Sequence, residues 1–456
     1  MNIDYQKIME ISSTAKQTQM GGRSQIEAQQ LGNLRRLVEK VRRKSPLFAE
    51  LYEHAPPSDT VQLQDLPITR KPELMIEFDR WLTDRSLTRA RALEHMEDMS
   101  NLGVPINDCL VYRTSGTSGE PLIVASSIYA LFELPQGVEA VRTDEAQMAK
   151  FQKLSDELKN GTGVPVAITG GNGHFAGNTM TQLMQNLNNG PSNFAFISAE
   201  EPIEDIVEQL NAFGNVPSIR TYPSVLSILI REKEAGRLHI NPISLSLSGE
   251  TLTEELRQRA LTVFPDAFLS SAYSSSECVL LGKECSHGRF HLNEDWVVLE
   301  AVDENEQPVA DGVLSDAVLL TYLANDVQPF IRYKMGDRVR FYTDPCPCGS
   351  PFRSYRVEGR QATILHIGDV ALSALAFDLE HEQASRVQLV QTGERAFEIR
   401  AEIRAGADVA AVFDKIIAEV QDLLRDNGVS DAVIRKSHQA PKLGNSGKFQ
   451  EVVPIN

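Results

Sequence analysis

The chain has 456 residues, of which 42% are hydrophobic and 23% charged, with a formal net charge of −17. That length calls for two or more domains. The negative balance argues against nucleic-acid binding by bulk electrostatics, and no run of about 18 apolar residues suggests a membrane span.

The Met1–Met20 segment is polar and lacks the apolar heart of a signal peptide. With five cysteines, an odd number, this fits a reducing, cytoplasmic setting. Residues 25–53 read as a helix, with Leu31, Leu34, Leu37, Val38 and Val41 at helical spacing. A Pro-containing loop follows over 54–68, and residues 69–98 are helical but weakly patterned. Next comes the run Tyr112-Arg113-Thr114-Ser115-Gly116-Thr117-Ser118-Gly119-Glu120-Pro121. Its glycines let backbone N–H groups converge on an anion, and its hydroxyls add donors. It reads as a phosphate-gripping loop, although it lacks the Gly-Lys-Ser/Thr ending of a Walker loop.

From 160 to 280 strand and helix alternate. The strands are 165–169, 243–247 and 267–270, and the helices 202–213, 224–235 and 253–264. This order predicts a parallel sheet covered by helices, with ligands outside the carboxyl ends of the strands. Gly249-Glu250 and the segment 273–277 both fall just after strands. From 296 to 343 the pattern turns to strands, with Val297, Leu299, Val302, Val309, Leu319 and Tyr322 suggesting an antiparallel or barrel-like segment.

After Arg360 a small α+β unit begins. Phe397, Ile399, Ala401 and Ile403 alternate as a strand, and Asp408 can cap a helix carrying Val409, Val412, Phe413, Ile416, Val420 and Leu423. The expected fold is therefore α/β. A large N-terminal domain, residues 1–358, holds helix-covered, mainly parallel sheets and a strand-rich subdomain. A small α+β C-terminal domain takes residues 359–456.

Seven motifs stand in a telling order. Thr114 to Pro121 resembles the signature loop of adenylate-forming enzymes, and more narrowly the phenylacetate–CoA ligase branch, including ligase-like proteins of capsule and natural-product clusters. Ser248-Gly249-Glu250, Tyr273-Ser274-Ser275-Ser276-Glu277, Phe290 to Asp295, Ile331 to Asp337, Gly359-Arg360 and Gly447-Lys448 resemble the motifs that follow it. The resemblance implies a two-step reaction. A carboxylate attacks the α-phosphate of ATP to give acyl-adenylate and pyrophosphate, and a nucleophile, most often coenzyme A, then displaces AMP. An aryl or short acid is the expected substrate. An acceptor amine or carrier protein, an ATP-independent acyltransferase and a non-catalytic interaction protein stay open, as does a homodimer.

The resemblance also implies roles. Thr114, Ser115, Gly116, Thr117, Ser118 and Gly119 would hold the β- and γ-phosphates. Glu277 would hold Mg²⁺, a hard cation that takes carboxylate oxygen. Gly249, Glu250, Ala272 and Tyr273 would frame adenine, with Tyr273 packing on the ring, and Ser276 lies in the same motif. Asp337 would accept from the ribose hydroxyls. Arg360 would reach ribose or phosphate, and Lys448 would neutralise charge during adenylation. His174, Phe175 and Tyr222 are candidates for the acid pocket. The loop departs from the family at Glu120, where a lysine is usual, and a glutamate cannot help hold pyrophosphate.

Cysteine spacing marks a second site. Cys346-Pro347-Cys348-Gly349 is a Cys-x-Cys-Gly knuckle, and Cys285, His287 and His291 lie upstream. Cys285, His291, Cys346 and Cys348 would make a closed, structural Zn²⁺ site. The competing reading is reduced cysteines in a tight turn.

Overall fold

The structure, a computed structural model, describes residues 4–114, 121–159, 161, 163–170, 173–187, 194–360, 363–377, 379–444 and 448–455. It opens with a helix the sequence pattern did not announce, Tyr5–Met20, capped by Asp4. Only Ala15 and Thr18 of this helix are buried, so it carries almost no apolar stripe. The helix expected over 25–53 is two, Gly22–Lys44 and Pro46–Leu51. Ser45 breaks it: its backbone is extended, its hydroxyl accepts from the Phe48 amide, and Pro46 starts the next helix. Residues 69–98 hold three short helices, Lys71–Ile76, Phe78–Trp81 and Arg89–Glu97.

The centre is a nine-stranded sheet. In spatial order its strands are Asp337–Phe341, Ser354–Arg360, Phe290–Leu292, Gly282–Glu284, Phe268–Tyr273, Ser244–Ser248, Ser218–Thr221, Val166–Thr169 and Ala195–Ser198. The last five pair in parallel, and the others join antiparallel. Helices Ile203–Phe213 and Pro223–Glu234 bury Leu210, Leu226 and Ile230 against Ile168, Ile219 and Leu245. The carboxyl ends of Ser244–Ser248 and Phe268–Tyr273 lead into 249–250 and 274–277, where a doubly covered parallel sheet places ligands.

The strand-rich segment forms a separate antiparallel sheet of Val297–Val302, Ala317–Tyr322 and Tyr333–Met335. Among the described residues no helix is long and apolar enough to cross a membrane.

Residues beyond 363 build their own sheet and core. Val433–Lys436, Ala396–Ile403, Ala384–Gly393 and Val452–Val453 form a four-stranded sheet. The helix Val409–Asp426 packs Val412, Phe413, Ile416, Val420 and Leu424 with Leu389, Phe397 and Ile399. Asp408 accepts from the amides of Ala410 and Ala411 at its start. Val409 is exposed and Leu424 buried, a shift of the apolar stripe by part of a turn. The junction with the rest of the chain is an ordered strand end. Ser354–Arg360 stays paired as far as Arg360 opposite Asp337, and Gly359 sits there at φ +97°, a conformation that favours glycine.

Charged contacts hold this unit on the helices that cover the large sheet. Glu380 accepts from the Ser227 hydroxyl at 2.6 Å and from Arg259 at 2.5 Å, with Arg231 at 3.7 Å. Arg404 pairs with Glu232 and, at 3.3 Å, with Glu204. Buried Arg386 donates to the carbonyls of Ala199 and Glu201 at 3.0 and 3.1 Å.

Candidate active site and metal centre

The loop after Cys109–Arg113 returns as Ile123–Ser127, and the two strands pair antiparallel. Its neck is tied twice: the Thr114 amide donates to the Leu122 carbonyl at 2.9 Å, and the Thr114 hydroxyl accepts from the Leu122 amide at 2.9 Å. Ser115, Gly116, Thr117, Ser118 and Gly119 lie outside the described residues, so of this loop only Thr114 is placed. The Tyr112 hydroxyl donates to the Ser276 carbonyl at 3.0 Å, which links the loop's stem to the 273–277 segment.

Around the strand ends the charged candidates converge. Gly249 has φ +85°, and its carbonyl accepts from Lys448 Nζ at 2.8 Å. A Cβ at Gly249 would lie 3.0 Å from both Cε and Nζ of Lys448 and would crowd the lysine, and the φ of +85° favours glycine. Glu250 turns its carboxylate onto the first turn of Pro223–Glu234, accepting from the Ser224 amide at 2.9 Å and hydroxyl at 3.1 Å. Arg360 Nε donates to Asp337 Oδ1 at 2.8 Å.

The electrostatics follow from taking these charges out of water together. Burial lowers the Lys448 ammonium from its ordinary range, with Glu250 opposing and Arg360 adding to the shift. Burial raises Glu250 and Glu277, partly offset at Glu250 by the Ser224 amide and at Glu277 by its own amide and by Arg360. Asp337 raises the Arg360 guanidinium further, so Arg360 is a fixed cation between two carboxylates. Sequence reading missed Tyr333, whose phenol the Glu277 charge and burial push upward. It lies in the quoted 331–337 motif, but nothing in the pattern marks which member turns inward.

Two candidates are seated differently from expectation. Tyr273 packs edge-on against Phe290 and Tyr355 in the core and is only 9% exposed. The residue expected to pack on adenine thus has aromatic neighbours in the core, with its phenol near Asp337; Ala272 beside it is half-buried. His174 turns away from the cleft. Its Nε2 lies 3.2 Å from the Asp98 carbonyl, its ring stacks edge-on with His95, and burial lowers its pKa. A carbonyl accepts only from N–H, so Nε2 carries the proton and Nδ1 is a buried acceptor without a partner among the described residues.

Phe175 does face open space. It lines a cleft of about 540 Å³ together with Arg113, Thr114, Pro121, Glu200, Leu443 and Gly444. Tyr222 lies between this region and the lysine: its hydroxyl accepts from the Gly170 amide at 3.3 Å, and Lys448 Nζ stands 5.7 Å from its ring centre. Burial pushes its phenol up to about 12.

The second cluster is as compact. One ligand atom from each of Cys285, His291, Cys346 and Cys348 falls within 4.8 Å of all the others. Cys285 and Cys346 sulfurs are 3.7 Å apart, and Cys348 Sγ is 3.3 Å from His291 Nε2. A tetrahedron with Zn–S bonds of ~2.3 Å has S···S edges of ~3.8 Å, so the spacing suits zinc. His291 Nδ1 lies 3.1 Å from the Phe352 carbonyl. It must carry the proton, which leaves the Nε2 lone pair turned to the sulfurs, the usual arrangement of a metal-binding histidine. His287 is exposed in the Cys285–Arg289 turn and is not part of the cluster. The residues fit a closed Zn²⁺ site.

The Phe290–Asp295 motif has a structural use in this protein. Glu294 pairs with Arg23 at 2.6 Å and accepts from the Arg353 amide at 2.8 Å, while Asp295 pairs with Arg142 at 2.5 Å. The Arg23 contact binds the helix Gly22–Lys44 here, and the Arg142 contact binds the end of the helix Leu134–Arg142.

No protein-family model matches the chain, and no curated protein matches it in sequence. Solved structures do. One is 2-hydroxyisobutyryl-CoA ligase in the postadenylation state with 2-HIB-AMP, at TM-score 0.59 and 16% identity, over 94% of this chain and 89% of that one. The same ligase with 2-HIB-AMP and CoA in the thioesterification state aligns at TM-score 0.50 and 17% identity, over 93% and 88%. McyG A-PCP complexed with phenylalanyl-adenylate aligns at 0.50 and 13% identity, over 76% and 66%. At such identities the likeness is one of fold.

Proposed function

We propose that this chain, which has the fold of the adenylate-forming enzymes, activates a small carboxylic acid with ATP and passes the acyl group to a nucleophile, coenzyme A first among the candidates. The observation that carries this reading is Lys448. It reaches across from the C-terminal unit into the cluster of Gly249, Glu250, Asp337, Arg360 and Glu277 at the strand ends.

The difficulty of the first step is that a carboxylate must approach a phosphate, anion upon anion. In a site shielded from water, one fixed ammonium is worth far more than in solution. Lys448 is that ammonium, held by the Gly249 carbonyl so that little reorganisation is needed. The acid's oxygen bonds to the α-phosphorus, the bond to the β-phosphate oxygen breaks, and pyrophosphate leaves. In the second step the thiol sulfur bonds to the acyl carbon, AMP leaves with the former carboxylate oxygen, and the thiol proton is released.

Asp337 keeps one carboxylate oxygen beyond the Arg360 bond to accept from the ribose hydroxyls. Glu277 is the residue that would hold Mg²⁺, which when bound offsets phosphate charge. Phe175 and Tyr222 are the aromatic walls in reach of an acid, which favours an aryl or short acid of the kind handled by the phenylacetate–CoA ligase branch. A carrier protein or an amine would be served by the same first step. In this reading residues 1–358 form the adenylating domain and residues 359–456 the domain that brings and removes the lysine.

The Zn²⁺ site is structural. Four protein ligands fill a tetrahedron and leave no open position for a substrate. It would join the turn after Gly282–Glu284 to the loop between Asp337–Phe341 and Ser354–Arg360.

The test is acid-dependent exchange of pyrophosphate into ATP across a panel of aryl and short carboxylic acids. Exchange with one of them supports the reading and names the acid. No exchange with any of them overturns it.

A further inference from the structure

Helix Pro223–Glu234 begins without a side-chain cap of its own. Tyr222 stands at the cap position but its side chain makes no capping bond, and Pro223 takes the first helical position. The Ser224 amide therefore needs an acceptor from elsewhere in the chain. Glu250 supplies it, and the Ser224 hydroxyl donates to the same carboxylate. We infer that Ser224 is a positioning residue for the adenylating step: it pins the Glu250 carboxylate as the anion that receives the Lys448 ammonium beside the Gly249 carbonyl. Its part in that step rests on the adenylating reading above; the contact itself does not.

Sheet register brings the pieces together. Strands Ser218–Thr221 and Ser244–Ser248 are parallel neighbours, with Thr221 opposite Leu247. One leads into Tyr222-Pro223-Ser224 and the other into Gly249-Glu250, so the helix start and the acidic turn leave the sheet side by side. The two oxygens of Glu250 are divided between two donors. Oε2 takes the Ser224 amide at 2.9 Å and Oε1 the hydroxyl at 3.1 Å. Such a two-point grip fixes the carboxylate, and the positive end of a helix 12 residues long favours its charged form. A carboxylate taken out of water without such donors would shed its charge by binding a proton.

The ammonium arrives from the other unit. Lys448 stands on a hairpin in which Leu443 bridges to Phe449, and its Nζ donates to the Gly249 carbonyl at 2.8 Å. A carbonyl orients an ammonium but leaves its charge uncompensated. Glu250 and Asp337 oppose that charge, Arg360 adds to it, and the Tyr222 ring centre lies 5.7 Å away. Asp337 already holds Arg360 at 2.8 Å, and Glu277 feels the same guanidinium, so Glu250 is the carboxylate left for the lysine. Ser224, Gly249 and Glu250 belong to one unit and stay bonded whether or not the lysine is present. The seat for Lys448 is therefore built before the lysine enters, and Ser224 acts through Glu250 without touching a reacting atom.

Pyrophosphate exchange followed across pH in the full chain, beside consumption of preformed acyl-adenylate, tests the assignment. E250Q removes the anion and keeps the shape. An ammonium that loses a nearby opposite charge gives up its proton earlier, so the alkaline limb should move down by about one pH unit. S224A should lower exchange roughly three- to tenfold, since a hydrogen bond to a charged group is lost, and should move the limb the same way by less. S224T, which keeps a hydroxyl, should restore both. The loss should be larger in exchange than in consumption of acyl-adenylate.

An unmoved limb in E250Q, equal losses in the two steps, or failure of S224T to restore what S224A loses overturns the inference. A parent protein that shows no exchange with any acid sinks the adenylating reading, and the contact is then read directly. Labelling of Lys448 by acetic anhydride at graded pH, followed by peptide mass spectrometry, should reach half-reaction at a lower pH in E250Q than in the parent. Identical labelling curves would sink the contact as well. Should S224A melt early, E250Q becomes the deciding variant.

Discussion

Lys448 concentrates the argument at the scale of the residue. Its ammonium sits among two carboxylates and a guanidinium, held by one carbonyl. Lys448→Ala should slow pyrophosphate exchange ~10²–10³-fold, the usual cost of removing one preorganised charge from a developing one, with the fold intact. Unchanged exchange would remove the assignment. The pH profile gives a second reading. Burial lowers the lysine below its ordinary 10.5, so the cation is lost at a lower pH than in a free chain. Between the folded and unfolded values the unfolded chain binds the extra proton, so the burial cost is relieved, and stability gained, as pH rises there. Exchange should therefore fall on the alkaline side before pH 10.5, and Lys448→Arg should move that limb upward, because a guanidinium keeps its charge. An unmoved limb would assign it to another group.

Gly249→Ala is the complementary test. The residue stands at φ +85° with Lys448 Nζ 3.0 Å from where a Cβ would be. The strain costs ~1–3 kcal/mol, and the methyl group pushes the lysine off its carbonyl. Exchange should drop towards the level of Lys448→Ala, and a variant with full activity would show that this contact does not matter.

Much of this site was legible in the order of the motifs. Taken alone, Lys448 is one lysine in a Gly/Ser-rich tail, and nothing local sets it apart from a solvated one. The seating of Tyr273 and His174 was not legible. A strand's alternation says which face a side chain takes, but not whether a ring on the buried face meets a ligand or other core rings.

At the scale of the element, the Cys/His cluster brings together pieces of chain far apart in sequence. Cys285 ends one strand, His291 lies in the next, and the Cys346–Cys348 knuckle turns over at Gly349 with φ +78°. They meet because Ser354 pairs with His291 and Tyr355 with Phe290 in the large sheet. Purified protein should hold about one zinc per chain after dialysis. Cys348→Ser should lose it, lower the melting temperature and leave adenylation largely in place, since the cluster closes a hairpin rather than the cleft. Metal-free protein of full stability would dismiss the site. The knuckle and its two upstream ligands were visible as spacing. His291 rather than His287 is the expected ligand because it fits the family pattern better, and strand register is what brings it to the cysteines.

At the scale of the whole molecule, the contacts described between the C-terminal unit and the helices of the large sheet are charged, some half-exposed and some buried. Glu380 meets Ser227, Arg231 and Arg259, and Arg404 meets Glu232 and Glu204. The half-buried Glu380 can exchange its partners for water at less cost than a shared apolar core, whereas Glu232 and Arg386 are buried and cost more to separate. If the unit must withdraw Lys448 before a nucleophile can enter, these pairs set how readily it does so. Glu380→Ala should reduce pyrophosphate exchange more than consumption of preformed acyl-adenylate, because it weakens the docked arrangement only. Equal losses in the two steps would count against this clasp.

The sequence by itself determined the parts: the alternation that makes a parallel sheet, the Asp408 cap, the hydroxyl-rich loop and the ordered motifs that resemble those of one family. These are legible because they depend on local propensity and on spacing along the chain. Tertiary structure alone decided that the Tyr273 ring serves the core, that His174 faces Asp98 and His95, and that Arg113 and the Lys448 hairpin share a cleft. Those outcomes depend on which surfaces are brought together by contacts between residues hundreds of positions apart, and no short window of sequence records them.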